Sequence, residues 1–407
     1  MRVRWAAASI FVISNVVNYL DRGILASVWP AIAAEFHLDE THYGWLVMAL
    51  SLSYALASPF TGAMLDRLGL NRGISLAVAV WSLAAGATAV AGTFAQLLWC
   101  RLGLGAGESA GIPAVGKANA MYLKPKERAV GAALSQVGIS IGGMLAPVFA
   151  IIAVAHGWRA PFLIAGAAGL LWIPLWLFTS RRIRPEFDAP EGQPRPPLDR
   201  RLIALVCANV LWMGVYSLWT NWTPLYLFRV HHLSMQQAAR YSWAPPLFSS
   251  LGGFAGGWFS MRLIDTGMPA IAARLRAILF SAIGVLSTLL VPFTPTPLWS
   301  VAVIAISFFC ATAGSVNIYT IPLDLYGASR AGAAIAALVF GYGLLQTVIS
   351  PAIGYMVKAH GYGIVCLLTG IAPLLGYLLL WRSDRGGHDA EEQQHAAYKE
   401  HRDREQN

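Results

Sequence analysis

The chain has 407 residues, 57% of them hydrophobic and 12% charged, and its mean hydropathy is +0.56. An average soluble domain carries roughly 25% charged residues, so a soluble enzyme or binding module is excluded and an all-α integral membrane protein is expected. The formal charge of +9 does not call for a nucleic acid, because the basic residues collect in alternate connectors, as orientation in a bilayer requires.

A spanning helix needs about 20 mostly apolar residues. Twelve stretches qualify: 5–29, 43–65, 73–94, 97–120, 129–153, 160–179, 202–228, 240–262, 275–293, 298–320, 331–356 and 361–381. The first contains Asn18, Tyr19, Leu20, Asp21 and Arg22 in succession. Each ionised group costs roughly 2.5 to 3.5 kcal/mol at the centre of a span, so Asp21 and Arg22 mark a substrate or proton pathway. Ala31-Ile32-Ala33 imitates a cleavage site, but the apolar run is too long for a secretory signal and holds two charges, so an uncleaved helix is expected.

The connector after the second stretch reads Gly62-Ala63-Met64-Leu65-Asp66-Arg67-Leu68-Gly69-Leu70-Asn71-Arg72. Gly62 is expected to permit a close helix approach, Gly69 a tight turn, and Asp66 a pairing near a helix end. The fourth stretch carries Arg101 and Glu108, seven residues apart and so on one helical face, with Gly103, Gly105 and Gly107 between them as packing residues. Counted inward at about 1.5 Å per residue, Asp21 comes within vertical reach of Arg101, while Glu108 sits deeper with only Arg22 as a basic neighbour.

A proline-rich polar stretch divides the chain into an N-terminal bundle (1–180), a linker (181–201), a C-terminal bundle (202–382) and a polar tail (383–407). The halves echo each other. Ala155-His156-Gly157-Trp158 returns as Ala359-His360-Gly361-Tyr362, and Arg128-Ala129-Val130-Gly131 returns near Arg330-Ala331-Gly332. Two parallel repeats place a substrate site near mid-membrane between them. Arg67, Arg72, Lys124, Arg128, Arg181, Arg274 and Arg330 mark one side, and Asp39, Glu40, Arg159, Arg229, Arg240 and Lys358 the other, so both termini are expected in the cytoplasm of a multi-pass cell (inner) membrane protein.

In the second half, Met261 stands where Asp66 stands in the first, so a second latch is weakened or absent. The seventh stretch interleaves aromatic and polar residues from Tyr216 to Tyr226, including Trp222, as a gate or as an interfacial belt. Asn317 and Tyr319 lie in the tenth, and Asp324 is expected to pair with Arg330. Cys100, Cys207, Cys310 and Cys366 lack metal-ligand spacing, and the histidines fall in connectors or the tail, so no metal, no cofactor and no histidine relay are expected.

The G-x-x-x-D-R-x-G-x-x-R pattern of Gly62, Asp66, Arg67, Gly69 and Arg72 resembles the signature loop of the major facilitator superfamily, a fold of twelve transmembrane helices in two six-helix bundles. The resemblance implies that these five residues form a conformational latch for the outward-open state. With Tyr19 to Arg22, Arg101 to Glu108, Trp81-Ser82 and Gly157-Trp158-Arg159, the first half resembles the anion:cation symporter family. That resemblance implies proton-coupled symport of an organic anion such as a sugar acid. It implies that Arg22 holds the carboxylate, that Tyr19, Tyr54, Gln136, Tyr319 and Asn317 contribute to the pocket, that Asp21 and Glu108 carry protons, and that Arg101 partners Asp21. Where that family presents an asparagine on helix 11, this chain has Phe340-Gly341-Tyr342-Gly343, with Gln346 the nearest amide. An arginine fork suits a carboxylate, and protons offset the roughly 2.3 kcal/mol per charge per 100 mV that opposes anion entry. The expected partners are a small organic anion, protons and the lipid bilayer, without nucleic acid, and the chain is expected to work as a monomer. The alternative is a proton-coupled exporter, which a fixed positive charge in the pocket disfavours for cations. No catalytic constellation of Ser, His or Cys lies in the spans, so an enzyme is not expected.

Overall fold

A computed structural model describes residues 3–124, 127–183 and 198–405. Most of the expected linker therefore lies outside the described residues. The helices are α1 (Val3–Phe36), α2 (Glu40–Thr88), α3 (Phe94–Glu108), α4 (Gly111–Tyr122), α5 (Arg128–Leu145), α6 (Val148–His156), α7 (Arg159–Arg182), α8 (Arg200–Val230), α9 (Met235–Ser242), α10 (Ala244–Asp265), α11 (Ala270–Val285), α12 (Pro297–His360) and α13 (Tyr362–Glu405), with a 3₁₀ turn, Leu286–Phe293, continuing α11. The described residues contain no strand.

These helices make twelve spans in two bundles of six. α2 and α12 are each two spans joined end to end, breaking at Gly69 and Gly327, whose φ values of 73° and 69° favour glycine. α3 with α4, α5 with α6, α9 with α10, and α11 with its 3₁₀ turn each make one span. Eight segments are long and apolar enough to cross a membrane, and Glu40–Thr88 among them holds two spans. The first, fourth and eighth spans are not among them; α3 and α4, which share the fourth, hold 15 and 12 residues and are each too short by themselves.

The chain sets its helix starts with side-chain caps. Asp39 accepts from the backbone of Thr41 and His42, Asp199 from Leu202, and Ser234 from Gln237, satisfying amides that would otherwise be orphaned. The repeat appears in the backbone as well as in the sequence. Positive φ occurs at His37, Gly69 and Gly157 in the first half and at His232, Gly267 and Gly361 in the second, offsets of 195, 198 and 204 residues.

Several expectations need correcting. Asp324 pairs with Arg274 (3.3 Å) rather than with Arg330, since Arg274 of the ninth span also donates to Ser260 at 2.7 Å and is anchored beside it. Trp222 and Tyr226 are fully buried, so neither belongs to an interfacial belt. Trp222 meets Tyr43 edge-on at 4.9 Å, and Tyr226 donates to the Val291 carbonyl inside the second bundle.

Among the described residues, the hydrogen bonds and ion pairs joining the halves run from mid-depth to the end that carries the Phe36–Glu40 turn. They are Ser140 with Ser250, Tyr43 with the Asn221 carbonyl, Asp39 with Lys358, and Glu40 with Arg229. At that end backbones touch: a Cβ on Gly44 would meet the Ser350 carbonyl at 2.5 Å, and one on Gly354 the Glu40 carbonyl at 2.4 Å. The two bundles are in close contact at that end.

Candidate functional site

Small residues carry the site's side chains into place. A Cβ on Gly142 of α5 would meet the Val16 carbonyl at 2.4 Å, so α5 lies hard against α1 beside Tyr19. A Cβ on Gly105 of α3 would meet the Leu50 carbonyl at 2.1 Å and the Ser53 hydroxyl at 2.3 Å, which brings Glu108 close to Tyr54. Such contacts need no side chain and leave the helix charges nowhere to go but inward.

The result is one ion pair at mid-depth. Arg22 Nε donates to Glu108 Oε2 at 2.6 Å, with the Arg22 side chain 25% exposed and Glu108 fully covered. The guanidinium lies 5.2 Å from the Tyr19 ring centroid and 4.8 Å from that of Tyr54. Its two Nη groups stand outside the bond to Glu108 and form the edge that can take a carboxylate in bidentate fashion. Glu108 sits behind Arg22 as seen from the cavity.

Asp21, one residue earlier, turns the other way and is 2% exposed. Neither of its oxygens has a hydrogen-bond partner, and Arg101, also 2% exposed, leaves Nη2 unpartnered and rests over the Phe162 ring at 5.4 Å. The two couple electrostatically without forming an ion pair within 4.0 Å. Buried charges are normally paired, so two buried ionisable groups without a salt bridge stand out here.

Other expected residues divide. Tyr319 is half-buried and accepts from Asn209. Gln136 is exposed, one turn from Ser140 on the face that meets Ser250 of the opposite bundle. Asn317 is not in the cavity wall: it is fully buried, donates to the Gly256 and Ala313 carbonyls, and lies 3.5 Å from Arg274. Asp66 pairs with Lys117 of α4 at 2.7 Å, and Arg67 and Arg72 are exposed. Gly62 permits no close approach here, since a Cβ on it would meet nothing within 4 Å.

Sequence reasoning missed Lys117 and Tyr43, which carry no motif, and took Asn221 only as one polar residue of the Tyr216–Tyr226 stretch. It registered Asp39, Glu40, Arg229 and Lys358 only as sparse charges on one side. Their signs were a usable signal, both carboxylates in the first half and both cations in the second.

The sequence pattern of the Major Facilitator Superfamily matches residues 11–348. The hexuronate transporter of Escherichia coli K12 is 25% identical over 410 residues, covering 93% of each chain. The galacturonate transporter of Dickeya chrysanthemi is 29% identical, covering 64% of this chain and 82% of its own, and a probable L-galactonate transporter of Escherichia coli K12 is 26% identical over 94% and 90%. Among solved structures, a D-xylose-proton symporter superposes with a TM-score of 0.74 at 15% identity, covering 93% and 97% of the two chains. A bacterial homolog of the lysosomal transporter Spinster, inward-facing and unoccupied, does so with 0.70 at 19% over 94% and 96%. The two-bundle fold, the internal repeat and the match over most of the chain together make this protein a member of the Major Facilitator Superfamily.

Proposed function

We propose that the chain is a proton-coupled symporter of a sugar acid or related organic carboxylate, working as a monomer in the cell membrane with both termini in the cytoplasm. The observation that carries this reading is Arg22, a permanent cation at the cavity wall whose buried side is bonded to a carboxylate that can be protonated. Its relatives named for hexuronate, galacturonate and galactonate support the substrate class.

In this reading the end where the bundles are in close contact faces outward and the structure is inward-open. A proton on Glu108 breaks its hold on Arg22 and frees the guanidinium for a substrate carboxylate. Asp21 and Arg101 form the second proton-linked pair, and Asp66, Arg67, Arg72 and the glycines of their loop latch the bundles in the opposite state. Tyr19, Tyr54, Gln136 and Tyr319 line the path. Purified chain in proteoliposomes should accumulate a sugar acid under an inward proton gradient. Failure with every organic anion tested, together with proton-driven cation efflux, would overturn the reading in favour of an exporter.

A further inference from the structure

Across the cavity from Arg22, one hydrogen-bonded group on the eleventh span has a fixed orientation. Gln346, 4% exposed, accepts the Ser217 hydroxyl at 2.8 Å and the Ser350 hydroxyl at 2.9 Å on its Oε1. Two donors on one amide oxygen decide which way the amide faces, so Nε2 points the other way and donates to the Tyr342 hydroxyl at 2.6 Å. A phenol that accepts from an amide keeps one hydrogen to give, and it cannot give it back to that nitrogen.

The Tyr342 ring is held edge-on by Tyr216, with centroids 6.3 Å apart at 84°, and Tyr216 packs in turn on Phe308 at 5.2 Å. Tyr342 is half-buried and couples electrostatically with Arg22 and Tyr19 of the first half. Its neighbour Gly343 abuts Ala55, where a Cβ would come within 2.9 Å, and Ala55 follows the Tyr54 that contacts Arg22. Three second-half tyrosines, Tyr216, Tyr319 and Tyr342, couple with Tyr19, and Tyr216 and Tyr342 also with Arg22. The cations Arg229, Arg274 and Lys358 are engaged elsewhere, with Glu40, Asp324 and Asp39.

We propose that Tyr342, oriented by Gln346, is the specificity-determining contact for the uncharged end of the substrate, donating its hydroxyl hydrogen to a hydroxyl oxygen of a polyhydroxylated monocarboxylate whose carboxylate sits on Arg22. The proposal rests on the organic-anion reading above and narrows it. Among the described residues, the groups that couple with Tyr342 include no second-half cation, so a second carboxylate at this end is disfavoured; a chain without hydroxyls gains nothing from Tyr342. Gln346 is a positioning residue that acts through Tyr342.

The test is calorimetric binding to the full chain purified in detergent, with three probes: galactonate, hexanoate and galactarate. Wild type should bind galactonate at least about tenfold tighter than either of the others. Tyr342→Phe should weaken galactonate about tenfold and leave hexanoate unchanged. Gln346→Glu should do the same, because a carboxylate accepts the phenol hydrogen and removes the donor, and adding it to Tyr342→Phe should cost nothing more. A parallel loss for galactonate and hexanoate, or full additivity in the double variant, would overturn the assignment by showing a merely structural role. Galactonate binding abolished by Arg22→Lys yet untouched by Tyr342→Phe would overturn this assignment alone. Wild-type chain that binds none of the three probes would overturn the organic-anion reading with it.

Discussion

Adjacent residues on a helix point about 100° apart, and Asp21 and Arg22 use that angle to meet different partners. Arg22 reaches Glu108 and the cavity, and Asp21 faces inward toward Arg101. Arg22→Lys keeps the charge but loses the planar fork, so anion affinity should fall at least about tenfold, as measured by titration calorimetry. Glu108→Gln keeps the shape and removes the titration. It should preserve substrate exchange across the membrane while abolishing accumulation driven by a proton gradient, and wild-type accumulation in counterflow-competent vesicles would refute Glu108 as the carrier. The depth of these residues was legible in the sequence, because charge inside an apolar run is conspicuous and helical rise is constant. Which charge pairs with which was not, because pairing depends on how α1 and α3 are rotated, and that is set by contacts such as Gly142 against Val16 and Gly105 against Leu50.

Glycines that look alike in sequence differ sharply in their surroundings. Gly105 lies against backbone that cannot move aside, so Gly105→Leu should destabilise the fold by at least about 2 kcal/mol and shift Glu108 from Arg22. Gly62 has open space around it, so Gly62→Ala should leave thermal stability within about 0.5 kcal/mol. If transport by Gly62→Ala nevertheless slows while its melting temperature in detergent is unchanged, the close approach at Gly62 belongs to the other conformation. Twelve helices were readable because apolar length is a local property. The partner of Asp66 was not, because Lys117 lies 51 residues away on a span whose glycine-rich stretch hides its register.

The halves are joined at one end by two carboxylates from the first and two cations from the second, and the proposed alternating access requires them to separate there. Burial pushes the Asp39 carboxyl up, but hydrogen bonds from Lys358 and His42 override it and hold the group well below the usual carboxylate range. A carboxyl depressed in this way stabilises the closed end at every pH above its ordinary titration and loses that effect only as pH falls through the lowered value. Acidification from neutral to about pH 5 should therefore leave the Asp39–Lys358 contact intact, and in the proposed symport cycle the proton acts at the Arg22 site instead. A double variant, Asp39→Cys with Lys358→Cys, tests whether the seal must open. Bridging the two thiols with a homobifunctional methanethiosulfonate, long enough to replace the lysine–aspartate contact of 2.7 Å, should join the halves, stop uptake in proteoliposomes, and leave substrate binding from the open end in place. A reductant should restore uptake. Full uptake by the crosslinked chain would mean that substrate reaches the far side without the bundles parting at this end, and alternating access by rocking would fall with it.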